Sequence, residues 1–187
     1  MARLPTCTCP GRASKKPVRR CVNYVLPSLP SSPNLSRNNA EKPVQDFPHH
    51  YVAAASAEFD SNVQLESAGV ENIESASPAE FGGPGDRWSP ETLLVASVAD
   101  CFILSFKAIA RASKVDWVSL KCEVVGDLDK VDRVTQFTDF HVRAILEVPE
   151  GLREGKAERL LEMAEKSCLI TNSLKAESHL EAEVRIV

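Results

Sequence analysis

Apolar and polar residues alternate along two long segments in the second half of the chain. The segment "VSLKCEVVGDL" places Leu120, Cys122 and Val124 on one face, and "QFTDFHVRAILEVP" repeats the pattern. A period of two predicts strands with one buried face. The polar turn "DKVDRV" between them predicts an antiparallel hairpin. "SHLEAEVRIV" at the C-terminus alternates in the same way and predicts a closing strand.

Shorter patterns complete the expected order of elements. "HHYVAAAS", "NVQLES" and "VENIESA" predict three short strands, the first two joined through Phe59-Asp60-Ser61. After the hairpin, "GLREGKAERLLEMAEKS" predicts a helix and "CLITNSLKA" a second, short one. The order βββ-α-ββ-α-α-β predicts an α+β fold with an antiparallel sheet of six strands.

The segment between the two groups of strands predicts a long central helix. Ser89 is the expected N-cap, Pro90 the first helical residue and Glu91 a first-turn acid, and the helix should run to about Ser113. Apolar residues surround it on nearly every side, so it must be buried all round. One sheet covers one side only, which predicts that a second copy of the chain covers the other in an obligate homodimer.

Composition divides the chain into two regions. Residues 1–48 carry eight of the twelve prolines, and residues 1–40 carry seven Lys or Arg and no acid. Such a segment buries too little apolar surface to fold, so we expect a disordered extension at 1–48 and one domain at 49–187. The extension is either non-functional or an organellar transit peptide. It lacks the aromatic residues of single-strand binders, so we expect no nucleic-acid partner.

The cellular compartment follows from hydropathy. Residues 93–110 are the most apolar stretch, but Asp100 and Lys107 interrupt it, so we expect no membrane helix. The first forty residues lack the apolar core of a secretory signal. We therefore expect a reducing, cytoplasmic location, or an organelle if residues 1–48 are a transit peptide.

Six cysteines are the main candidates for chemistry. The first three, Cys7, Cys9 and Cys21, have no fourth ligand at zinc-finger spacing, so no metal is expected. Cys122 alternates with strand residues and is expected in the core. Cys168 opens the short predicted helix, where free backbone N–H groups favour a thiolate. Cys101 lies in the middle of the central helix and, on local grounds alone, is a small core hydrophobe. No spacing among the four histidines indicates a metal, and His141 and His179 are expected to face solvent.

Several motifs, taken in order, resemble the OsmC/Ohr family, the osmotically inducible protein C and organic hydroperoxide resistance proteins. They are "GGPGDRWSPETLLVASVADCF", "LLEMAEKSCLITNSL" and "HLEAEVRIV", and the resemblance covers about residues 49–187. It implies an intertwined homodimer whose sheets wrap two central helices. It also implies that Cys101 is the peroxidatic cysteine, Cys168 the resolving cysteine and Glu91 the family's glutamate.

One family feature is missing from the sequence. The resemblance implies an arginine, held by the glutamate, that stabilises the thiolate, yet no arginine lies between Asn38 and Asp86. Arg87, just before the central helix, is the nearest replacement, with a solvated loop charge as the alternative interpretation. Lys107 is a weaker candidate. Glu91 and Cys101 lie about 15 Å apart along one helix, so Glu91 would have to act across the dimer or through an intermediary.

The sequence therefore predicts a thiol-dependent peroxidase that reduces organic or small hydroperoxides to alcohols. A Cys101 thiolate would attack the peroxide, and a Cys101–Cys168 disulfide would follow. A dithiol or lipoyl-type reductant would restore the thiols, and no cofactor is expected. The alternative is a non-catalytic dimer that binds a small apolar ligand or senses redox state. Phe81 and Trp88 flank the loop before the helix, where they would line an apolar pocket or form the rim of the core.

Overall fold

The computed structural model describes residues 45–152 and 155–187. They form two three-stranded sheets and two α-helices. The predicted extension lies, up to residue 44, outside the described residues, as do Cys7, Cys9 and Cys21. The division at residue 48 and the disorder of the extension therefore stay predictions.

The three short strands predicted near the N-terminus form a sheet of their own. Strands β1 (Ala54–Ser56), β2 (Val63–Glu66) and β3 (Ile73–Ser75) pair in this order, all antiparallel. This N-terminal sheet is built from strands of only three or four residues. It makes few contacts with the helices or with the second sheet. So small a sheet is not stable without a covered face.

The central helix, α1, spans Pro90–Ala112, as the sequence predicts. Its N-cap is Ser89, whose hydroxyl accepts a hydrogen bond from the Thr92 amide at 3.2 Å. The Ser89 amide in turn donates to the Thr92 hydroxyl at 2.8 Å. This reciprocal pair satisfies two donors that the first turn would otherwise leave free.

The two long strands form the predicted antiparallel hairpin. Strand β4 spans Ser119–Val131 and β5 spans Val134–Val148. Asp132 and Arg133 make the tight turn between them, with φ of 49° and 70°. Two successive residues with positive φ match the right-handed twist of the strands and fix the register.

The last strand corrects two expectations about the sheet. Helix α2 (Lys156–Lys166) carries the chain back, so β6 (Glu177–Ile186) runs parallel to β5. The second, C-terminal sheet is therefore mixed, and the predicted single antiparallel sheet of six strands is instead two sheets of three. The physical reason is that a crossover helix between neighbouring strands makes them parallel. The α+β class itself is confirmed.

The core lies between both helices and one face of the C-terminal sheet. Side chains from α1, α2 and β5 meet there without solvent, and the largest are Phe102, Phe106, Phe140, Leu146 and Leu161. Phe106 also meets Trp117 edge to face, with ring centroids 5.5 Å apart. Cys122 packs against this core, which confirms its expected place.

Gly126 on β4 lets α1 approach the C-terminal sheet. A Cβ atom there would lie 2.9 Å from both the Phe137 ring and a Val95 methyl. We expect Gly126→Ala to lower the free energy of unfolding by about 1–3 kcal/mol, because an overpacked contact forces its neighbours to shift. Urea unfolding at one fixed protein concentration measures this change. As a control, Val125→Ala on the exposed face of β4 should change it by less than about 0.5 kcal/mol. An equal loss in both variants would contradict the close contact.

Helix α1 is only partly covered within one chain. By length and composition it is the one helix of the described residues that could cross a bilayer, with a mean hydropathy of 2.0 over its most apolar window. The sequence predicts no membrane helix here, because Asp100 and Lys107 interrupt the apolar stretch. Only 22% of that window is buried in the chain, and Leu104 remains 54% exposed. Much of the apolar surface of the helix therefore lacks a neighbour within the chain.

Candidate thiol site

Two of the three described cysteines lie close together, where the middle of α1 meets the C-terminal end of α2. Cys101 lies in the middle of α1, one position before the buried Phe102, and is partly exposed. Cys168 follows directly after α2 and is only 1% exposed. Each thiol is among the influences on the pKa of the other, so the two side chains lie close together. The two residues that the sequence paired by resemblance are thus neighbours in space.

The segment after Cys168 is not the short helix that the sequence predicts. It forms only a 3-10 turn at Thr171–Ser173. The Thr171 hydroxyl donates to the Cys168 carbonyl at 3.2 Å, and the Ser173 hydroxyl to the Leu169 carbonyl at 2.8 Å. Asn172 donates its side-chain amide to the Lys166 carbonyl at 3.1 Å. Such local bonds compete with helical ones, which explains the tight turn.

This turn packs beside both thiols. The backbone of Leu169 and Ile170 lies next to Cys101, and the backbone of Ile170 and Thr171 lies next to Cys168. The Thr171 hydroxyl donates to the Cys168 carbonyl and lies close to the Cys168 thiol. The sequence predicts backbone amides at Cys168 but gives Thr171 no role. A hydroxyl residue three positions after a cysteine, where it can fold back, was the available signal.

The two thiols respond to this setting in opposite directions. Burial raises the pKa of Cys101, the Ile170 amide opposes it, and the hydrogen bond to Cys168 with its charge raises it further. Burial also raises the pKa of Cys168, but the hydroxyl and amide of Thr171, with donors from Cys101 and Ile170, outweigh it. The net pKa of Cys168 therefore lies below its ordinary value. Such a pair titrates as a unit.

Cys122 lies outside this pair of neighbouring thiols. Burial, followed by the nearby charge of Cys168, raises the pKa of Cys122 to about 11. A thiol with so high a pKa is protonated and unreactive at neutral pH. Cys122 is therefore a natural control for the other two.

The structure does not bring Glu91 or Arg87 to the thiols within one chain. Glu91 lines a separate cleft, and its Oε2 atom is buried without a hydrogen-bond partner among the described residues. Arg87 pairs instead with Asp86 at 2.9 Å and with Glu74 at 3.5 Å. No cation is among the main influences on the pKa of Cys101. The predicted roles of Glu91 and Arg87 stay predictions.

The cleft beside Glu91 has a volume of about 520 Å³. Its walls are largely apolar and aromatic, formed by Phe81, Trp88, Val95, Val124, Leu128 and Phe137. Glu80 and Glu91 are its carboxylates. Phe81 and Trp88 thus line an apolar pocket, one of the two interpretations that the sequence left open. Neither Cys101 nor Cys168 lines it.

The remaining polar clusters lie apart from the thiols. His141 and His179 are exposed, as expected, and each bonds an aspartate at 3.1 Å, Asp127 and Asp139 respectively. The His179 hydrogen bond lowers the pKa of Asp139. Within residues 45–152 and 155–187, no three His, Cys, Asp or Glu side chains are grouped to hold a metal.

Two neighbouring cysteines on an α+β fold define the class of thiol-based proteins. Comparison with known proteins identifies the family within that class. The family described as OsmC-like protein matches residues 83–183, more than half of the chain. The chain therefore belongs to the OsmC-like protein family. It is also 25% identical over 114 residues to the uncharacterized protein YmaD of Bacillus subtilis, covering 58% of this chain and 76% of that protein.

Solved structures agree on the fold. An OsmC-like protein of unknown function from Vibrio cholerae aligns with a TM-score of 0.63 at 18% identity, covering 75% of this chain and all of that one. An organic hydroperoxide resistance protein OsmC from Legionella pneumophila aligns with a TM-score of 0.60 at 23% identity, covering 74% of this chain and 98% of that one. An organic hydroperoxide resistance protein from Elizabethkingia anophelis aligns with a TM-score of 0.62 at 18% identity, covering 76% of this chain and 100% of that one. The expected OsmC-like fold is confirmed.

Proposed function

We propose that this protein is a thiol-dependent peroxidase that reduces organic or small hydroperoxides to alcohols. The observation that carries the proposal is the proximity of the Cys101 and Cys168 thiols, each of which influences the pKa of the other, inside an OsmC-like fold. Two neighbouring thiols need little backbone movement to form a disulfide. The names of the proteins from Legionella pneumophila and Elizabethkingia anophelis, both organic hydroperoxide resistance proteins, support the same reaction class.

The different exposure of the two thiols assigns them different roles in the proposed reaction. Cys101 is partly exposed and Cys168 is buried, so a hydroperoxide reaches Cys101 first. The Cys101 sulfur attacks the peroxide bond, an alcohol leaves, and a sulfenic acid remains on Cys101. Cys168 then displaces water from that sulfenic acid and forms the disulfide. A dithiol or lipoyl-type reductant restores both thiols by exchange.

A second copy of the chain completes the proposed enzyme. The N-terminal sheet has few contacts within its own chain, and α1 keeps much of its apolar surface exposed. Glu91 Oε2 is buried without a partner, yet Glu91 lies too far along α1 to reach Cys101 of its own chain. An intertwined homodimer would cover both surfaces and bring Glu91 towards the thiols of the other copy. A cytoplasmic location remains a prediction.

The decisive experiment measures how many thiols are lost for each hydroperoxide that is consumed. Fully reduced protein is mixed with substoichiometric organic hydroperoxide, and free thiols and alcohol are both measured. We expect two thiols lost and one alcohol formed per hydroperoxide, with the Cys101–Cys168 disulfide identified by peptide mass spectrometry. Hydrogen peroxide in a parallel series distinguishes organic from small substrates. Unchanged thiols with either peroxide would contradict the proposal.

A non-catalytic role is the second candidate, and two observations favour it. The apolar cleft beside Glu91 is well formed, and no cation is among the main influences on Cys101. A ligand-binding or redox-sensing dimer would use the cleft or the disulfide without turnover. Repeated peroxide consumption in excess dithiol separates the two, since a sensor or a binder would not sustain it.

A further inference from the structure

Two histidines lie side by side on the outer face of the C-terminal sheet. His141 on β5 and His179 on β6 are direct partners in the parallel register of these strands. The chain neighbours of His141, Phe140 and Val142, are buried in the core, so the histidine side chain stands on the opposite face. Both imidazole side chains are about half exposed, at 55% and 48%. An ion in solvent can therefore reach both rings.

The distance between the two rings suits one shared metal ion. Their centroids lie 5.3 Å apart, and their planes differ by 25°. A tetrahedral zinc ion binds imidazole nitrogens at about 2.0–2.1 Å, which places the centroids of two bound rings about 5 Å apart. The two strands therefore hold the rings at the spacing of a two-histidine chelate, and side-chain rotation can turn one nitrogen of each towards a common ion.

An aspartate orients each ring. His141 Nε2 lies 3.1 Å from Asp127 Oδ2, and His179 Nε2 lies 3.1 Å from Asp139 Oδ1. A carboxylate only accepts hydrogen bonds, so in each neutral ring Nε2 carries the proton and Nδ1 keeps a free lone pair. A histidine that binds a metal through one nitrogen commonly donates its other N–H to a carboxylate, which fixes the ring and raises its basicity. Both rings have that carboxylate partner.

The surroundings of the rings are negatively charged on balance. A shallow cavity of about 280 Å³ borders both histidines, and its other charged residues are Glu123, Arg143 and Glu181. Together with Asp127 and Asp139, this makes four carboxylates against one guanidinium. Such a balance attracts a divalent cation and repels an anion.

We propose that His141 and His179 form a binding site for a zinc ion on the outer face of the C-terminal sheet. Nδ1 of each ring binds the ion, and Asp127 and Asp139 hold the two rings from their other side. Solvent completes the coordination, since no three His, Cys, Asp or Glu side chains of residues 45–152 and 155–187 are grouped to hold a metal by themselves. The site lies apart from the thiols and does not depend on the proposed peroxidase function. The spacing of the histidines in the sequence gives no sign of it, because only the parallel register of β5 and β6 pairs them.

Nitrogen resonances of the imidazole rings test the site directly. Long-range ¹H–¹⁵N spectra of the full chain at neutral pH should first show the Nε2–H tautomer in both His141 and His179. Zn²⁺ is then supplied through a metal buffer that fixes its free concentration, because cysteine thiolates elsewhere in the chain also bind zinc. We expect the Nδ1 resonances of both rings to shift together along one saturable curve. An Nδ1–H tautomer, or resonances that stay unchanged as free zinc rises, would overturn the proposal.

The variants His141→Gln and His179→Gln test whether the two rings share one ion. Either change should lower the zinc affinity of the remaining ring at least about tenfold, because the second ligand of a chelate binds within the same molecule. The matched control is His50→Gln, since His50 is exposed and lies outside both sheets. It should leave the affinity of the pair unchanged. A remaining ring that binds zinc as tightly as the wild-type pair, or an equal loss in the control, would contradict the chelate.

The variants Asp127→Ala and Asp139→Ala test the carboxylates behind the rings. Each should lower zinc affinity by roughly 10–100-fold, the usual effect of removing such a partner from a metal-bound histidine. Asp60→Ala removes an exposed carboxylate from a turn outside the sheets and controls for the change in net charge. Equal zinc affinities in all three variants would show that the aspartates do not orient the rings. None of these measurements uses peroxide, so a protein without peroxidase activity would leave their result standing.

Discussion

Replacing Cys101 with serine is expected to reduce peroxide consumption to the level of the free reductant, a loss of at least roughly 10³-fold. Removing the attacking atom removes the covalent route itself, not one interaction that supports it. Turnover in excess dithiol, followed by loss of hydroperoxide, measures the effect. The matched control is Cys122→Ser, because Cys122 has a pKa of about 11 and lies outside the pair of neighbouring thiols. Equal losses in the two variants would show a general effect on folding instead.

Cys168→Ser should differ from Cys101→Ser in its product. Cys101 is the more exposed thiol, so it can still be oxidised when Cys168 is absent. No resolving thiol then remains nearby, so a sulfenic acid accumulates and oxidises further. Trapping with a sulfenic-acid reagent should label Cys101 in this variant and nothing in Cys101→Ser. Label on Cys168 in the Cys101→Ser protein would reverse the proposed order of attack.

Leu104→Asp should convert the proposed homodimer into monomers. Leu104 is 54% exposed on a helix that is otherwise largely apolar, so a second copy is its expected cover. Burying one leucine contributes roughly 1.5–3 kcal/mol, and a two-fold interface contains the residue twice. The dimer dissociation constant should therefore rise by at least about 100-fold. Light scattering coupled to size-exclusion chromatography over a dilution series measures it.

Leu104→Met is the control for this prediction. A methionine keeps the volume and apolar character of the position, so the dimer should persist. A wild-type protein that is monomeric at every concentration would contradict the intertwined dimer. Glu91 would then have no route to the thiols, because it cannot reach Cys101 within its own chain.

The elements of the fold were largely predictable from the sequence because their signals are local. Ser89 and Pro90 marked the start of α1, and the period of two in the long strands marked the hairpin. The parallel pairing of β6 was missed, although the helix between it and β5 is the feature that requires it. The prediction of a short helix after Cys168 was wrong, because the side chains of Thr171, Asn172 and Ser173 donate hydrogen bonds to nearby backbone carbonyls.

The candidate site was predictable only in part. Resemblance named Cys101 and Cys168, but periodicity alone assigned Cys101 to the core. That interpretation is reasonable for a cysteine in the middle of a helix, because the periodic pattern does not show which residues of other elements pack against it. Resemblance also gave Glu91 a role across the dimer or through an intermediary, and Arg87 was the nearest replacement for the missing arginine. Within one chain Glu91 lines a separate cleft and Arg87 pairs with Asp86 and Glu74.

By itself, the sequence determined the α+β class, the bounds of α1 and the apolar surface that calls for a second copy. These depend on hydrogen bonds and hydropathy between residues close in the chain. Only the tertiary structure decided that the two thiols lie close together and that the turn after Cys168 packs beside both of them. Charge on a buried sulfur depends on the direction of every nearby N–H and O–H group. Those directions are set by how α2 and its following turn pack against α1, and no local pattern encodes that packing.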